Sequence, residues 1–171
     1  MTITPHILAG AALASFLPTG SVPIRLIGFA LGFTSHYVLD AIPHWERLYG
    51  IHYNDELVGA YSNWPRYVTF QALADTFIGC AAFFTILIFI VPDQSRATVF
   101  WGGAGAALPD LMDSVPWWSE YTKRLPVWRY LTRLHDWVHS DYDLQRKLPL
   151  FLGIASQAAV IIAALLILML G

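Results

Sequence analysis

The apolar positions of this chain gather into long runs broken by short connections, and the runs set the expectation of an all-α fold. Leu148 to Leu170 carries no charge and is long enough to span a membrane. Thr76 to Pro92 is equally apolar, and Tyr67 to Asp75 completes its length. Ile3 to Leu17, Val22 to Ile42 and Ala97 to Leu111 are shorter or richer in glycine and alanine. Each of these three reads as a thin span, a half-buried helix or a soluble core helix. From Leu125 to His139, Val127, Tyr130, Leu131, Leu134 and Val138 keep a helical period, while Arg129 and Arg133 fall on another face. That stretch is expected to be an amphipathic helix lying at the membrane surface.

One pattern occurs twice. GFTSHYVLDAIPHW, from Gly32 to Trp45, aligns without a gap with GAALPDLMDSVPWW, from Gly105 to Trp118, so that Asp40 pairs with Asp113 and Pro43 with Pro116. The segments before them also correspond, His6 to Gly10 with Asp75 to Gly79, each followed by an alanine-rich apolar run that closes on a proline. The sequence therefore reads as two duplicated helical hairpins in an integral-membrane bundle, with the amphipathic helix added. Repeats of this kind often frame a site at their interface.

Composition supports one domain over residues 1–171 in a membrane: 56% of the residues are apolar and only 13% are charged. The amino terminus shows no basic region before its apolar run, so it is not expected to be a removable signal peptide. Cys80 is the only cysteine, which rules out an internal disulfide and a cysteine-based zinc site. With a net charge of −2 and no basic run, nothing suggests a nucleic-acid partner. Arg47 and Arg66 follow the second helix, and six more lysines and arginines lie between Lys123 and Lys147. The positive-inside rule puts both long connections in the cytoplasm and the short turns at Pro18 to Pro23 and Pro92 to Arg96 on the far side. The site is then expected on the cytoplasmic side of the membrane.

That orientation sends the candidate ligands to one end of the bundle. His6 starts the first helix, His36 and Asp40 end the second, Asp75 enters the third and Asp110 and Asp113 end the fourth. His36 and Asp40 stand at i and i+4, a spacing that puts both on one helix face. Pro43 disfavours helix at Ile42, so His44 is expected to fold back toward the same point. His135 and His139 form a second i,i+4 pair, with Asp136 able to orient an imidazole, and Arg129 is placed to hold a phosphate.

A carboxylate near the middle of a span costs roughly 2.5 to 3.5 kcal/mol, so Asp40, Asp75, Asp110 and Asp113 together cost on the order of 10 kcal/mol if deeply placed. A bound zinc ion can supply on the order of 10 kcal/mol or more, which favours a metal over simple ion pairs. Histidine and aspartate without cysteine suit zinc, manganese or iron better than magnesium or calcium. Zinc, as one to three ions, is the first expectation. Its proposed ligands are His6, His36, Asp40, His44, Asp75, Asp110, Asp113, His135 and His139, with His36, Asp40, Asp110 and Arg129 expected to carry catalysis.

TPHILAGAAL, GAALPDLMD and LHDWVHSD together resemble the YdjM-like family of bacterial inner-membrane proteins, usually called metal-dependent hydrolases. More distantly, SHYVLDAIPH is similar to a helix of the zinc-dependent phospholipases C and the single-strand-specific zinc nucleases, which are all-helical. The first resemblance implies His6, Asp110, His135 and His139 as metal ligands; the second implies His36 and Asp40. LPDLMD has one residue more before its second aspartate than the YdjM-like pattern, and Asp136 and Val138 stand where that pattern favours arginine and threonine.

These readings converge on a membrane-bound, metal-dependent hydrolase acting on a phosphoester of a lipid or lipid-linked substrate. The alternative is a non-catalytic transporter or scaffold with a structural polar cluster. A passage needs polar groups along the depth of the bundle, whereas Ala81 to Val91 and Ala158 to Leu170 are bare of charge.

Overall fold

The computed structural model describes residues 2–42, 44, 66–115, 118–138 and 149–170. Among them every regular element is a helix: α1 (Ile3–Ser15), α2 (Val22–Asp40), α3 (Arg66–Phe89), α4 (Asp93–Ser114), the single turn α5 (Ser119–Thr122), α6 (Pro126–Val138) and α7 (Leu150–Leu170). The sequence pattern predicted the six longer helices, with α4 starting four residues earlier than expected, and did not predict α5. Residues 45–64 and His139 lie outside the described residues.

The bundle is arranged around α1, which packs against α2, α3, α4 and α7. Its small residues make this possible. Ala11, Ala12 and Ala14 are buried, and Ile3, Ile7 and Leu8 join Phe83, Ile86 and Leu87 of α3, Val99 of α4 and Ala164 and Leu168 of α7 in one apolar core. At 13 residues α1 reaches about 20 Å, short of a hydrocarbon layer of about 30 Å.

Among the described residues, two helices are long and apolar enough to cross a membrane: α2, and Phe151–Leu170 within α7. The described apolar part of α3, Leu73–Phe89, is shorter than that. Large apolar side chains stand exposed along α2, α3 and α7, among them Leu26, Phe77 and Leu166.

α2 and α4 touch backbone to backbone. A Cβ on Gly32 would overlap the carbonyl of Gly102, and one on Gly105 would overlap the carbonyl of Phe29. The offset that aligns Gly32 with Gly105 also aligns Phe29 with Gly102, so the two contacts exchange under the sequence repeat. This close crossing places the carboxy-terminal ends of α2 and α4 side by side.

Candidate metal centre

Asp40 is the hub. It ends α2, is 1% exposed, and receives three imidazole nitrogens. Oδ1 lies 3.1 Å from His6 Nε2, and Oδ2 lies 3.0 Å from His36 Nε2 and 3.2 Å from His135 Nε2. His36 Nε2 and His135 Nε2 are themselves 3.3 Å apart. The rings of His6 and His36 stack at 4.1 Å. Asp110, 21% exposed, brings Oδ1 within 3.7 Å of His36 Nε2 and 4.0 Å of His135 Nε2 and forms the open side of the cluster.

Each element delivers its residue for a local reason. His6 lies on the first turn of α1, where Ile3 and Pro5 are buried with it, and the i,i+4 spacing of α2 aligns His36 with Asp40. Pro109 has no N–H to offer the Gly105 carbonyl, and on the following carbonyl, that of Ala106, His36 Nδ1 bonds at 2.8 Å. α6 is held to α4 by one carboxylate. Asp113 Oδ1 accepts from Trp128 Nε1 at 2.8 Å and Thr132 Oγ1 at 2.7 Å, and Oδ2 faces His135 Nδ1 at 3.2 Å. Residues 128, 132 and 135 share a face at i, i+4 and i+7, so α6 turns its polar stripe to the bundle. Its apolar residues Val127, Tyr130, Leu134 and Trp137 remain exposed.

The outer hydrogen bonds fix the protons. A carbonyl oxygen only accepts, so His36 Nδ1 carries the hydrogen, and in the neutral ring Nε2 is a bare lone pair. His135 Nδ1 donates to Asp113 in the same way. His36 Nε2 thus turns a lone pair toward the Asp40 carboxylate, and His135 Nε2 does so once its ring is neutral, an arrangement that holds together only with a cation at that spot, the ring proton of His135 or a metal ion in its place. Donation of the far ring N–H to a carbonyl or carboxylate is the usual support of a metal-ligating histidine.

The spacing fits a small ion. Ligands at about 2.0 to 2.1 Å around tetrahedral zinc are separated by about 3.3 to 3.4 Å, close to the 3.0, 3.2 and 3.3 Å found here. Two overlapping sets, His6 with His36 and Asp110, and His36 with Asp40 and His135, bring their ligand atoms within 4.8 Å of one another.

The charges are strongly coupled. Burial disfavours the charged form of His135, but the hydrogen bonds to Asp113 and Asp40 and the charges of Asp110 and Asp40 outweigh it and push the ring up to about 10. Burial likewise opposes a charge on Asp113, yet its hydrogen bonds from His135, Thr132 and Trp128 hold it below the usual carboxylate range.

Several expected ligands stand elsewhere. Asp75 is not in the cluster: Oδ2 accepts from the backbone N–H of Ile3 at 2.8 Å and Oδ1 from Thr4 Oγ1 at 2.8 Å. The opening turn of α1 has unsatisfied N–H groups and favours negative charge, and Asp75 supplies both acceptor and charge. Asp113 touches the rear nitrogen of His135 instead of the convergence point. It performs the orienting task expected of Asp136, which is exposed. Arg129 is exposed too, about 100° around α6 from Trp128 and away from the face that meets Asp113. His44 is fully buried, with Nδ1 donating to the Ile42 carbonyl at 2.7 Å, and is not one of the side chains that gather within 4.8 Å.

Beside the cluster, Phe33, Thr34, Tyr37, Val38, Ala41 and Leu134 line an open groove of about 420 Å³ between α2 and α6. Sequence reasoning passed over Tyr37, Trp128 and Thr132. The i, i+4, i+7 spacing of Trp128, Thr132 and His135 was the signal available for the last two. Compared with known proteins, the chain matches no family model, no curated sequence and no solved structure.

Proposed function

We propose that the chain is a membrane-embedded, metal-dependent hydrolase that binds a transition metal, zinc first, through His36, Asp40 and His135, with His6 and Asp110 completing the centre or holding a second ion. The observation that carries this reading is the triangle of His36 Nε2, His135 Nε2 and Asp40 Oδ2, with sides of 3.0 to 3.3 Å and both imidazoles fixed from behind. Two helices long and apolar enough to cross a membrane, and a donor set free of cysteine, support the membrane setting and the choice of metal. The short motifs shared with the YdjM-like proteins point the same way.

Bound there, the ion would act as a Lewis acid and lower the pKa of water toward neutrality. The reaction is addition of water across the P–O bond of a phosphoester, releasing an alcohol and a phosphate. Asp110, the most accessible side chain of the cluster, lies on the side from which substrate would enter. The basic residues around α6 favour the cytoplasm for that side.

Elemental analysis of the detergent-purified protein tests the reading. Wild type is expected to carry one or more equivalents of zinc or manganese per chain, and the double variant His36→Ala/Asp40→Ala to lose them. Well-folded wild type without a stoichiometric transition metal would overturn it.

A further inference from the structure

The groove between α2 and α6 is not used by the metal centre, yet it opens beside it. Phe33, Thr34, Tyr37, Val38 and Ala41 form one wall, at spacings that keep them on one side of α2 and its end, and Leu134 forms the other. Its volume, about 420 Å³, is in the range of ligand sites. Among the described lining residues, Thr34 and Tyr37 bring the side-chain hydroxyls.

Tyr37 belongs to both groove and cluster. Its ring meets His36 edge-on at 5.5 Å and His135 at 6.0 Å between centroids. The residue is 9% exposed, and its hydroxyl is enclosed with no hydrogen-bond partner among the described residues. Asp113, Asp40 and Asp110 all bear on it electrostatically, but none accepts its proton in a hydrogen bond. A buried hydroxyl without a partner costs stability, so a partner that arrives with a ligand accounts for it.

We propose that this groove seats the hydrocarbon chain of a membrane lipid whose phosphoester reaches the metal cluster, with the Tyr37 hydroxyl donating a hydrogen bond to a phosphoryl oxygen. This rests on the metal-hydrolase reading and names its substrate class. Three observations select a lipid. The groove is cut into α2, one of the two helices apolar and long enough to cross a membrane, so a chain reaches it sideways from the bilayer. Its rim residues Val38 and Leu134 are 60% and 41% exposed, and Val127, Tyr130 and Trp137 continue the apolar surface along α6. A cation and a phenol donor at the inner end complement an anionic phosphate, whereas a peptide in this groove would leave its backbone N–H and C=O groups without partners.

The test uses the full chain in detergent, loaded with cobalt(II), whose visible spectrum reports anion binding. The probes are inorganic phosphate and dodecyl phosphate. Wild type should bind dodecyl phosphate at least tenfold more tightly than inorganic phosphate. Ala41→Trp, which fills the groove, should weaken dodecyl phosphate at least tenfold and inorganic phosphate less than twofold. Both proteins share the same micelles, so partitioning of the probe cancels. Tyr37→Phe should weaken both probes several-fold with cobalt content unchanged. If Ala41→Trp does not take up cobalt, Leu134→Trp blocks the groove from the opposite wall.

Dodecyl phosphate binding unaltered by a filled groove would overturn the lipid seat while leaving the metal centre standing. Unaltered binding of both probes in Tyr37→Phe would remove the hydroxyl from the site. Wild type that takes up no cobalt would overturn the metal reading, and the lipid seat would fall with it.

Discussion

Asp113 Oδ2 lies 3.2 Å from Nδ1 of His135, on the ring edge opposite the one that faces Asp40 at the same distance. Asp40 and Asp113 are partners in the sequence repeat, so matching positions of the two helices hold the two nitrogens of one imidazole. One carboxylate aligns the ring from behind and the other faces the nitrogen that points into the cluster. α6 thereby closes the cluster, and in the proposed metal centre Asp113 is the residue that orients His135.

Asp113→Asn tests this with little change of shape. Oδ1 already accepts from Trp128 and Thr132, so the amide oxygen must take that place and the NH2 must face His135 Nδ1. Nδ1 then accepts, the ring proton moves to Nε2, and the lone pair needed at the cluster is lost. Metal affinity is expected to fall roughly 10- to 100-fold while the helical content stays. Chelator competition against cobalt(II) measures it, and unchanged affinity would show that the rear hydrogen bond does not set the ligand.

Metal uptake should also release protons. His135 is pushed up to about 10, so below that pH the metal-free ring holds a proton that the incoming ion must displace. Apparent affinity is therefore expected to rise with pH, by up to roughly tenfold per unit below about pH 10. Calorimetry in two buffers of different ionisation enthalpy at pH 7 should give close to one proton from this ring. Uptake with no proton release would contradict the raised value.

Much of this arrangement was legible before any coordinates. Helix ends follow from the apolar runs, and charge counting brought His6, His36, Asp40, Asp110 and His135 to one end of the bundle. The errors have a common physical cause. Asp75, Asp113 and Asp136 are all carboxylates near helix ends, and spacing alone does not tell which faces a ligand, a bare helix terminus or solvent. Asp75 answers the backbone N–H of Ile3 in α1, 72 residues away in the chain, and only the packing of α3 on α1 reveals that. The apolar period of α6 was read correctly, but its polar stripe is the one that docks, because three donors meet a single buried carboxylate there. Tyr37 was lost in an apolar helix, where a tyrosine is unremarkable by sequence.

The crossing of α2 and α4 should tolerate no added volume. In Gly32→Ala the new methyl meets the backbone carbonyl of Gly102, which cannot rotate aside as a side chain would. The helices must separate, at a cost of about 1 to 3 kcal/mol. The separation also draws His36 away from the Ala106 carbonyl on α4 that fixes its tautomer. Thermal unfolding in detergent and metal content should therefore fall together. A variant with reduced stability but full metal content would show that the two are uncoupled.

Asp75 and Asp110 are both partly buried aspartates on neighbouring helices, and the structure assigns them opposite consequences. Removing Asp75 strips the N-terminus of α1 of its acceptor, a loss of the size of a helix cap, about 1 kcal/mol. The cluster remains, because no ligand atom of Asp75 lies in it. Removing Asp110 frees no helix terminus but takes away the carboxylate 3.7 Å from His36 Nε2 and 4.0 Å from His135 Nε2. Asp75→Ala should thus lower the unfolding temperature and keep its metal, and Asp110→Ala should lose metal affinity with little change in the unfolding temperature of the metal-free protein. Metal analysis and thermal unfolding of the two variants, side by side, decide it: loss of metal in Asp75→Ala would return that residue to the site and place the capping role in doubt.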